Sequence, residues 1–285
     1  MIARWIAACG IAVLTMVIPP AHACGPDSDC RLDNGRTYRI AMPNATGAEG
    51  GDRGPVGAIL YVHGYKGTAA GSMGNSGLRA LARSLGIALI AANSDGGDWP
   101  LPNSPSVLRG ETTADLDGAY DYFEAVLADA ADRFGIDRDR VMISGFSAGA
   151  MMVWWLACER SNLAVGFAPV SGTFWTPVPE DCPAEPAHLF HTHGSADPVV
   201  PLGGRRIGPA KQGVVRQAVT MYRAAGGYRF TRRFEQGDLR CERWRNPRRK
   251  LLDLCLHDDG HRLDPEHLRR AWTVLEKTGA FSPER

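Results

Sequence analysis

Apolar positions along this chain follow two alternating patterns. Unbroken apolar runs at residues 57–62 and 87–92 predict strands covered on both faces. Shorter β-type runs at 141–144, 164–170 and 188–192 belong with them. Elsewhere the apolar residues recur at three- and four-residue steps. Leu116, Tyr120, Phe123 and Leu127 mark the longest such stretch, a helix expected over 111–134 and closed by Gly135. Further helices are expected over 77–85, 214–225 and 265–277. Residues 37–41 alternate like an edge strand, and 241–244 and 251–255 read as two hairpin arms around Asn246-Pro247. Strands alternating with helices predict an α/β fold: a mostly parallel central sheet with helices on both faces. Ligands of such sheets sit at the carboxyl ends of the strands.

One strand-to-helix transition stands out. The run at 141–144 enters Gly145-Phe146-Ser147-Ala148-Gly149, and an apolar helical stretch leaves it. A G-x-S-x-G turn in this setting is the nucleophile elbow of the α/β-hydrolase fold, which lifts one hydroxyl above the sheet. A serine needs a base to attack at neutral pH, and a carboxylate to hold that base in the right tautomer. In this fold they follow in the order Ser, Asp or Glu, His. Asp197 fits the acid, because His193-Gly194-Ser195-Ala196-Asp197 begins where an expected strand ends. Asp181 and Glu185 precede that strand and lie on the wrong side. His261 fits the base, on a Gly260-containing loop after the second hairpin arm. His257 lies nearer the strand, His267 is expected on the surface of the last helix, and His191 is expected as a hydrogen-bonded core histidine.

An oxyanion hole needs two backbone N–H groups aimed at one point. Ala148, after the nucleophile, supplies one candidate. Tyr65, after the His63-Gly64 turn that ends an early strand, supplies the other. Trp99, Phe174 and Trp175 lie on loops at the same end of the sheet and are candidates for the substrate pocket. Trp154 and Trp155, on the elbow helix, are expected in the core. No cofactor is required. A zinc site from His191, His193, His257 and His261 would leave the elbow without a use.

The first residues change the compartment. Arg4, an apolar stretch from Trp5 to Ile18 and Ala21-His22-Ala23 together read as a signal peptide over 1–23. The remaining 24–285 suits one catalytic domain, secreted or periplasmic, with no stable membrane span. Lipid anchoring at Cys24 ranks second, because Ala21 stands where a lipobox usually has Leu. Six cysteines remain after residue 23, an even number that implies disulfides in an exported chain. Cys24 and Cys30 can close a small loop, and Cys241 and Cys255 lie opposite in the hairpin. Cys158 and Cys182 then pair by elimination. The chain has 32 Lys and Arg against 31 Asp and Glu, which gives no pull toward nucleic acid. The distribution is uneven: residues 205–250 hold 14 basic and 3 acidic side chains. A solvated basic face explains this most simply; attraction to an anionic substrate or surface is the alternative.

Several of these segments together resemble a known family. They are His63-Gly64, Gly145 to Met152, Leu156-Ala157-Cys158-Glu159, Ala168-Pro169-Val170 and His193-Gly194-x-x-Asp197-x-x-Val200-Pro201. This set is similar to the secreted esterases of the polyhydroxybutyrate depolymerase and feruloyl esterase group. The resemblance implies a serine esterase for short hydroxyacid or hydroxycinnamate esters, with Ser147, Asp197 and His261 as its triad. The family's histidine loop often reads Gly-His-x-Trp-Pro; here Arg262, Leu263 and Asp264 follow His261. The linker and binding module common in polymer degraders are not seen, which favours soluble or oligomeric esters. A serine peptidase on the same fold and a non-catalytic envelope binding protein are the competing readings. The sequence carries no signal for oligomeric state.

Overall fold

The computed structural model describes residues 24–43 and 54–281. The signal peptide expected over 1–23 lies outside the described residues. In chain order the strands are β1 (Cys30–Arg31), β2 (Thr37–Ala41), β3 (Val56–Val62), β4 (Ala88–Ala92), β5 (Ile136–Phe146), β6 (Gly166–Val170), β7 (His188–Gly194), β8 (Arg206–Ile207), β9 (Ala210–Lys211), β10 (Arg229–Gln236), β11 (Leu239–Arg245) and β12 (Leu251–His257). The helices are α1 (Ala69–Gly74), α2 (Ser76–Leu85), α3 (Pro105–Leu108), α4 (Leu116–Phe134), α5 (Ala148–Glu159), α6 (Val215–Ala225) and α7 (Pro265–Lys277).

The main sheet has the order β1-β2-β4-β3-β5-β6-β7-β12-β11-β10. Its centre, from β4 through β12, is parallel throughout. Antiparallel strands flank it on both sides. Alternation along β3 shows how two layers of helix cover it. Ala58, Leu60 and Val62 share one apolar cluster with residues of α4, α5 and α6, while Ile59 and Tyr61 belong to a second with residues of α1, α2 and α7. Both faces of the central strands are therefore apolar, which is why they read as unbroken runs.

The expected elements form, with informative differences. Helix α4 begins at Leu116, not 111, because the Asp115 side chain accepts the Gly118 N–H at 2.9 Å and caps it there. Strand β2 is not the edge, since β1 pairs outside it. Strand β7 continues to Gly194, which carries His193 into the sheet. Strand β10 had no periodic signal because almost every residue in it is exposed. His267 is buried, contrary to expectation; it lies on the inner face of α7 with its ring 5.2 Å from that of His257.

All three expected disulfides are present: Cys24–Cys30, Cys158–Cys182 and Cys241–Cys255. The Cys24 sulfur is bonded to Cys30, so it is not free for the thioether that lipid anchoring requires. No described helix is long and apolar enough to cross a membrane.

A buried ionic knot ties the far side of the sheet together. The Asp253 carboxylate on β12 accepts two bonds from Arg243 of β11, both at 2.7 Å, and a third from Arg270 of α7. Asp253 has no solvent exposure, and Phe234 of β10 covers both guanidinium groups. The knot fixes β12, and β12 leads directly into the loop that carries His261. Removing one partner of a buried pair strands the other charges. Asp253→Ala is therefore expected to lose about 3–5 kcal/mol in urea unfolding, with a larger loss than Arg216→Ala at the exposed Arg216–Glu242 pair.

Candidate active site

Ser147 sits between β5 and α5 with φ 58° and ψ −121°. Positive φ is costly for a residue with a β-carbon, and the surrounding backbone holds it there. The Ser147 N–H donates to the Val170 carbonyl at 3.0 Å, and its own carbonyl accepts from the Met151 N–H at 3.0 Å. Two glycines make the approach possible. A β-carbon on Gly145 would lie 2.7 Å from the Gly149 backbone, and one on Gly149 would overlap the Val62 carbonyl oxygen. The turn is thus clamped between β3 and its own helix.

The acid and base loops are stitched to each other. Ser195 N–H donates to the His257 carbonyl at 2.8 Å, and Ala196 N–H to the Asp259 carbonyl at 3.3 Å. The Asp197 side chain is fully buried between them. Its Oδ1 accepts the Val199 and Val200 N–H groups, each at 2.8 Å. Its Oδ2 lies 2.7 Å from His261 Nδ1. Burial alone would raise this carboxyl, but the His261 bond and the Val200 and Val199 N–H groups outweigh it and hold it below the usual carboxylate range. An ionised carboxylate only accepts, so His261 Nδ1 carries the proton and Nε2 is left as the basic nitrogen. The His261 ring packs on Phe146, the neighbour of Ser147, with centroids 4.5 Å apart.

The charged residues after His261 brace its loop. Arg262 reaches Asp259 at 2.7 Å, and Asp238 and Asp264 at 3.0 Å each. Asp264 also accepts the Glu266 N–H as the N-cap of α7.

A second chain of hydrogen bonds approaches the acid from the core. The Trp154 indole N–H can only donate, and it meets His191 Nδ1 at 3.2 Å. His191 Nε2 must then carry a proton, which it donates to His193 Nδ1 at 3.0 Å. His193 Nε2 in turn donates to the Val200 carbonyl at 2.7 Å and lies 3.5 Å from Asp197 Oδ2. Every donor in this series has one acceptor, so both tautomers are fixed. Both imidazoles are fully buried, and burial holds them below the ordinary histidine range.

A cavity of about 290 Å³ opens beside the nucleophile. Ser147, Ala148, Tyr65, Trp175, Arg205 and Gln212 are among its lining residues. A β-carbon on Gly64 would lie 3.5 Å from Ser147 Cβ, so the Tyr65 loop passes close to the hydroxyl. Among the described residues the Tyr65 N–H has no acceptor. Ala148, as the first residue of α5, has no acceptor within its helix. Both expected oxyanion donors are therefore unspent.

The three expected pocket aromatics part company. Trp175 lines the cavity. Trp99 is fully buried instead, stacks on Phe123, and donates its indole N–H to the His63 carbonyl at 2.8 Å. It supports the His63-Gly64-Tyr65 loop from behind. Phe174 is also fully buried, packed on Trp154 and Trp155. Arg205 and Gln212 escaped sequence reasoning, because they flank a strand pair too short to show periodicity. Among the described residues no group of three or more His, Cys, Asp or Glu is placed to hold a metal ion.

Residues 109–215 match the family model described as phospholipase/carboxylesterase. A protein of Nocardia uniformis subsp. tsuyamanensis, the putative esterase NocK, is 34% identical over 176 residues, which is 61% of this chain and 49% of that one. The chain thus spans about half the length of that relative. Among solved structures, the acetyl xylan esterase from Aspergillus awamori superposes with a TM-score of 0.58 at 15% identity, covering 90% of this chain and 96% of its own. The carboxylesterase of Bacillus cereus superposes with a TM-score of 0.54 at 14% identity, covering 85% and 94%. The fold is that of the α/β-hydrolases.

The buried neutral histidines set a pH dependence. Unfolded, each titrates near ~6.5. Folded, His188 is pushed down to about 3 by burial and by the Lys250 charge, and His191 and His193 are also lowered. Below ~6.5 the unfolded chain binds more protons than the folded one, so stability falls with falling pH, by up to about 1.4 kcal/mol per unit for each histidine. Urea midpoints measured from pH 7 to pH 4 should fall steadily. In His191→Leu the decline should be shallower.

Proposed function

We propose that this chain is a serine esterase acting on short-chain carboxylic esters, with hydroxyacid or hydroxycinnamate esters as its substrate class. The Asp197–His261 bond of 2.7 Å, beside a serine held at positive φ, carries the reading. The names of the relatives favour ester over amide chemistry. Export is part of the proposal, since three disulfides suit an oxidising compartment.

The reaction runs in two halves. Ser147 Oγ attacks the ester carbonyl while its proton passes to His261 Nε2. Asp197 stabilises the imidazolium that results. The negative charge on the carbonyl oxygen is met by the N–H groups of Tyr65 and Ala148, worth several kcal/mol in such sites. The tetrahedral intermediate collapses as His261 returns the proton to the departing alkoxide, which leaves as the alcohol. Water then gives a proton to His261, attacks the acyl-enzyme, and releases the acid as Ser147 regains its proton. Trp175 forms an aromatic wall suited to a flat or compact acyl group.

The wild-type protein should hydrolyse 4-nitrophenyl acetate with a pre-steady-state burst and should be labelled by a fluorophosphonate probe. Ser147→Ala should lose both, with kcat down by at least ~10³-fold. Undiminished turnover in Ser147→Ala would falsify the proposal.

A further inference from the structure

The cavity beside Ser147 is mostly apolar, yet two arginines line it, Arg109 and Arg205. They differ in what their charge already meets. Arg109 forks onto Glu111, with Nε and Nη2 at 2.6 and 2.7 Å from the two carboxylate oxygens. Its charge is neutralised. Arg205 uses Nε alone, donating to the Val199 carbonyl at 2.7 Å. Among the described residues, no carboxylate lies within ion-pair distance of its guanidinium, and neither terminal nitrogen has a protein hydrogen-bond partner.

The anchoring of Arg205 is local and specific. The Val199 carbonyl that accepts its Nε–H also accepts Gln212 Nε2 at 3.1 Å. The Val199 N–H holds Asp197 Oδ1. One residue, Val199, therefore links the guanidinium stem to the triad acid, and Arg205 is part of the lining of the nucleophile's cavity. The remaining charged group in the lining is Asp98. Both of its oxygens are engaged, by the Trp99 N–H and the Ser106 hydroxyl, and burial raises its carboxyl toward the neutral form. The cavity thus presents an uncompensated positive charge with two parallel N–H donors. That is the geometry that receives a carboxylate through paired bonds.

We propose that the substrates of this site are esters that carry a free carboxylate, bound by the terminal nitrogens of Arg205. This rests on the esterase reading and narrows it: hydroxyacid oligomers with a free acid end and esters of acidic alcohols fit, and fully neutral esters lose this contact. Ground-state capture by Arg205 acts on substrate affinity. The chemical step stays with Ser147 and His261.

The test uses two matched ester pairs. Phenyl acetate and 4-acetoxybenzoate differ by a carboxylate on the alcohol side; phenyl hexanoate and phenyl hydrogen adipate differ by one on the acyl side. For at least one pair, wild-type kcat/KM should favour the anionic ester about tenfold, mainly through KM. The preference should shrink in 1 M NaCl. In Arg205→Gln the anionic-to-neutral ratio should fall about tenfold for that pair, and Arg205→Lys should restore part of it, as a charge without the fork. Wild-type turnover of the neutral esters with no anionic preference in either pair, or a ratio unmoved by Arg205→Gln, overturns this inference and leaves the esterase reading standing. No turnover of any of the four esters overturns both.

Discussion

A carbonyl passing too close for a β-carbon organises this active end. The Val62 oxygen at the end of β3 occupies the space a side chain at position 149 would need, and the Gly149 backbone does the same at position 145. Strand β3, strand β5 and helix α5 therefore converge more tightly than ordinary residues permit. Their convergence holds Ser147 at φ 58°, a conformation that costs about 1–3 kcal/mol and survives only where its neighbours dictate it. The same approach brings the His63-Gly64 turn alongside the hydroxyl. One packing constraint thus sets Ser147, the start of helix α5 and the His63-Gly64-Tyr65 loop together. Trp99 reinforces it through its bond to the His63 carbonyl.

The other half of the site depends on an isolated carboxylate being worth burying. Asp197 has no solvent, and three hydrogen bonds offset its desolvation. Two come from backbone N–H groups that turn formation supplies. The third comes from His261, on a loop held by backbone bonds to the acid turn and by Arg262 spanning three carboxylates. The Trp154–His191–His193 series adds an apolar-side support. Its last donor fixes the Val200 carbonyl, so the residue that offers its N–H to Asp197 is held through both of its backbone polar groups. Neutral buried imidazoles suit this role, because a charged one would be expensive there and would compete with His261 for Asp197.

The parallel sheet and the elbow were legible because both rest on local patterns: strands covered on two faces show no alternation, and G-x-S-x-G between strand and helix has one main use. That Asp197 and His261 would meet was legible through chain order and their positions just past strand ends. The pocket was not. An aromatic residue on a loop at the correct end of the sheet says nothing about which way it points, and of Trp99, Phe174 and Trp175 the loops turn two into the core. His267 misled for the complementary reason: a polar residue in an amphipathic helix defaults to the surface, but α7 turns this position toward His257. Strand β10 has solvent on nearly all its residues, so it carries no hydrophobic period to detect.

The excess of basic residues between 205 and 250 separates into two groups once it is folded, and the separation argues against treating it as one patch. Along β10, β11 and the adjoining segments, carboxylates meet much of the charge: Arg216 and Arg233 share Glu242, Arg240 takes Asp258, Arg243 takes Asp253 and Arg248 takes Glu185. Arg229 and Arg232 lie on the outermost strand, where exposed charge discourages another chain from adding to the sheet. These seven make up half of the fourteen basic residues in the segment and need no ligand. Arg205 belongs to neither account. It lies far from the sheet edge in sequence, has no carboxylate in reach among the described residues, and is tied by its stem to the acid turn. A solvated guanidinium at the lining of a mostly apolar cavity attracts anionic groups and repels cations. Composition alone merges this residue with its neighbours; its place in the lining of the Ser147 cavity distinguishes it.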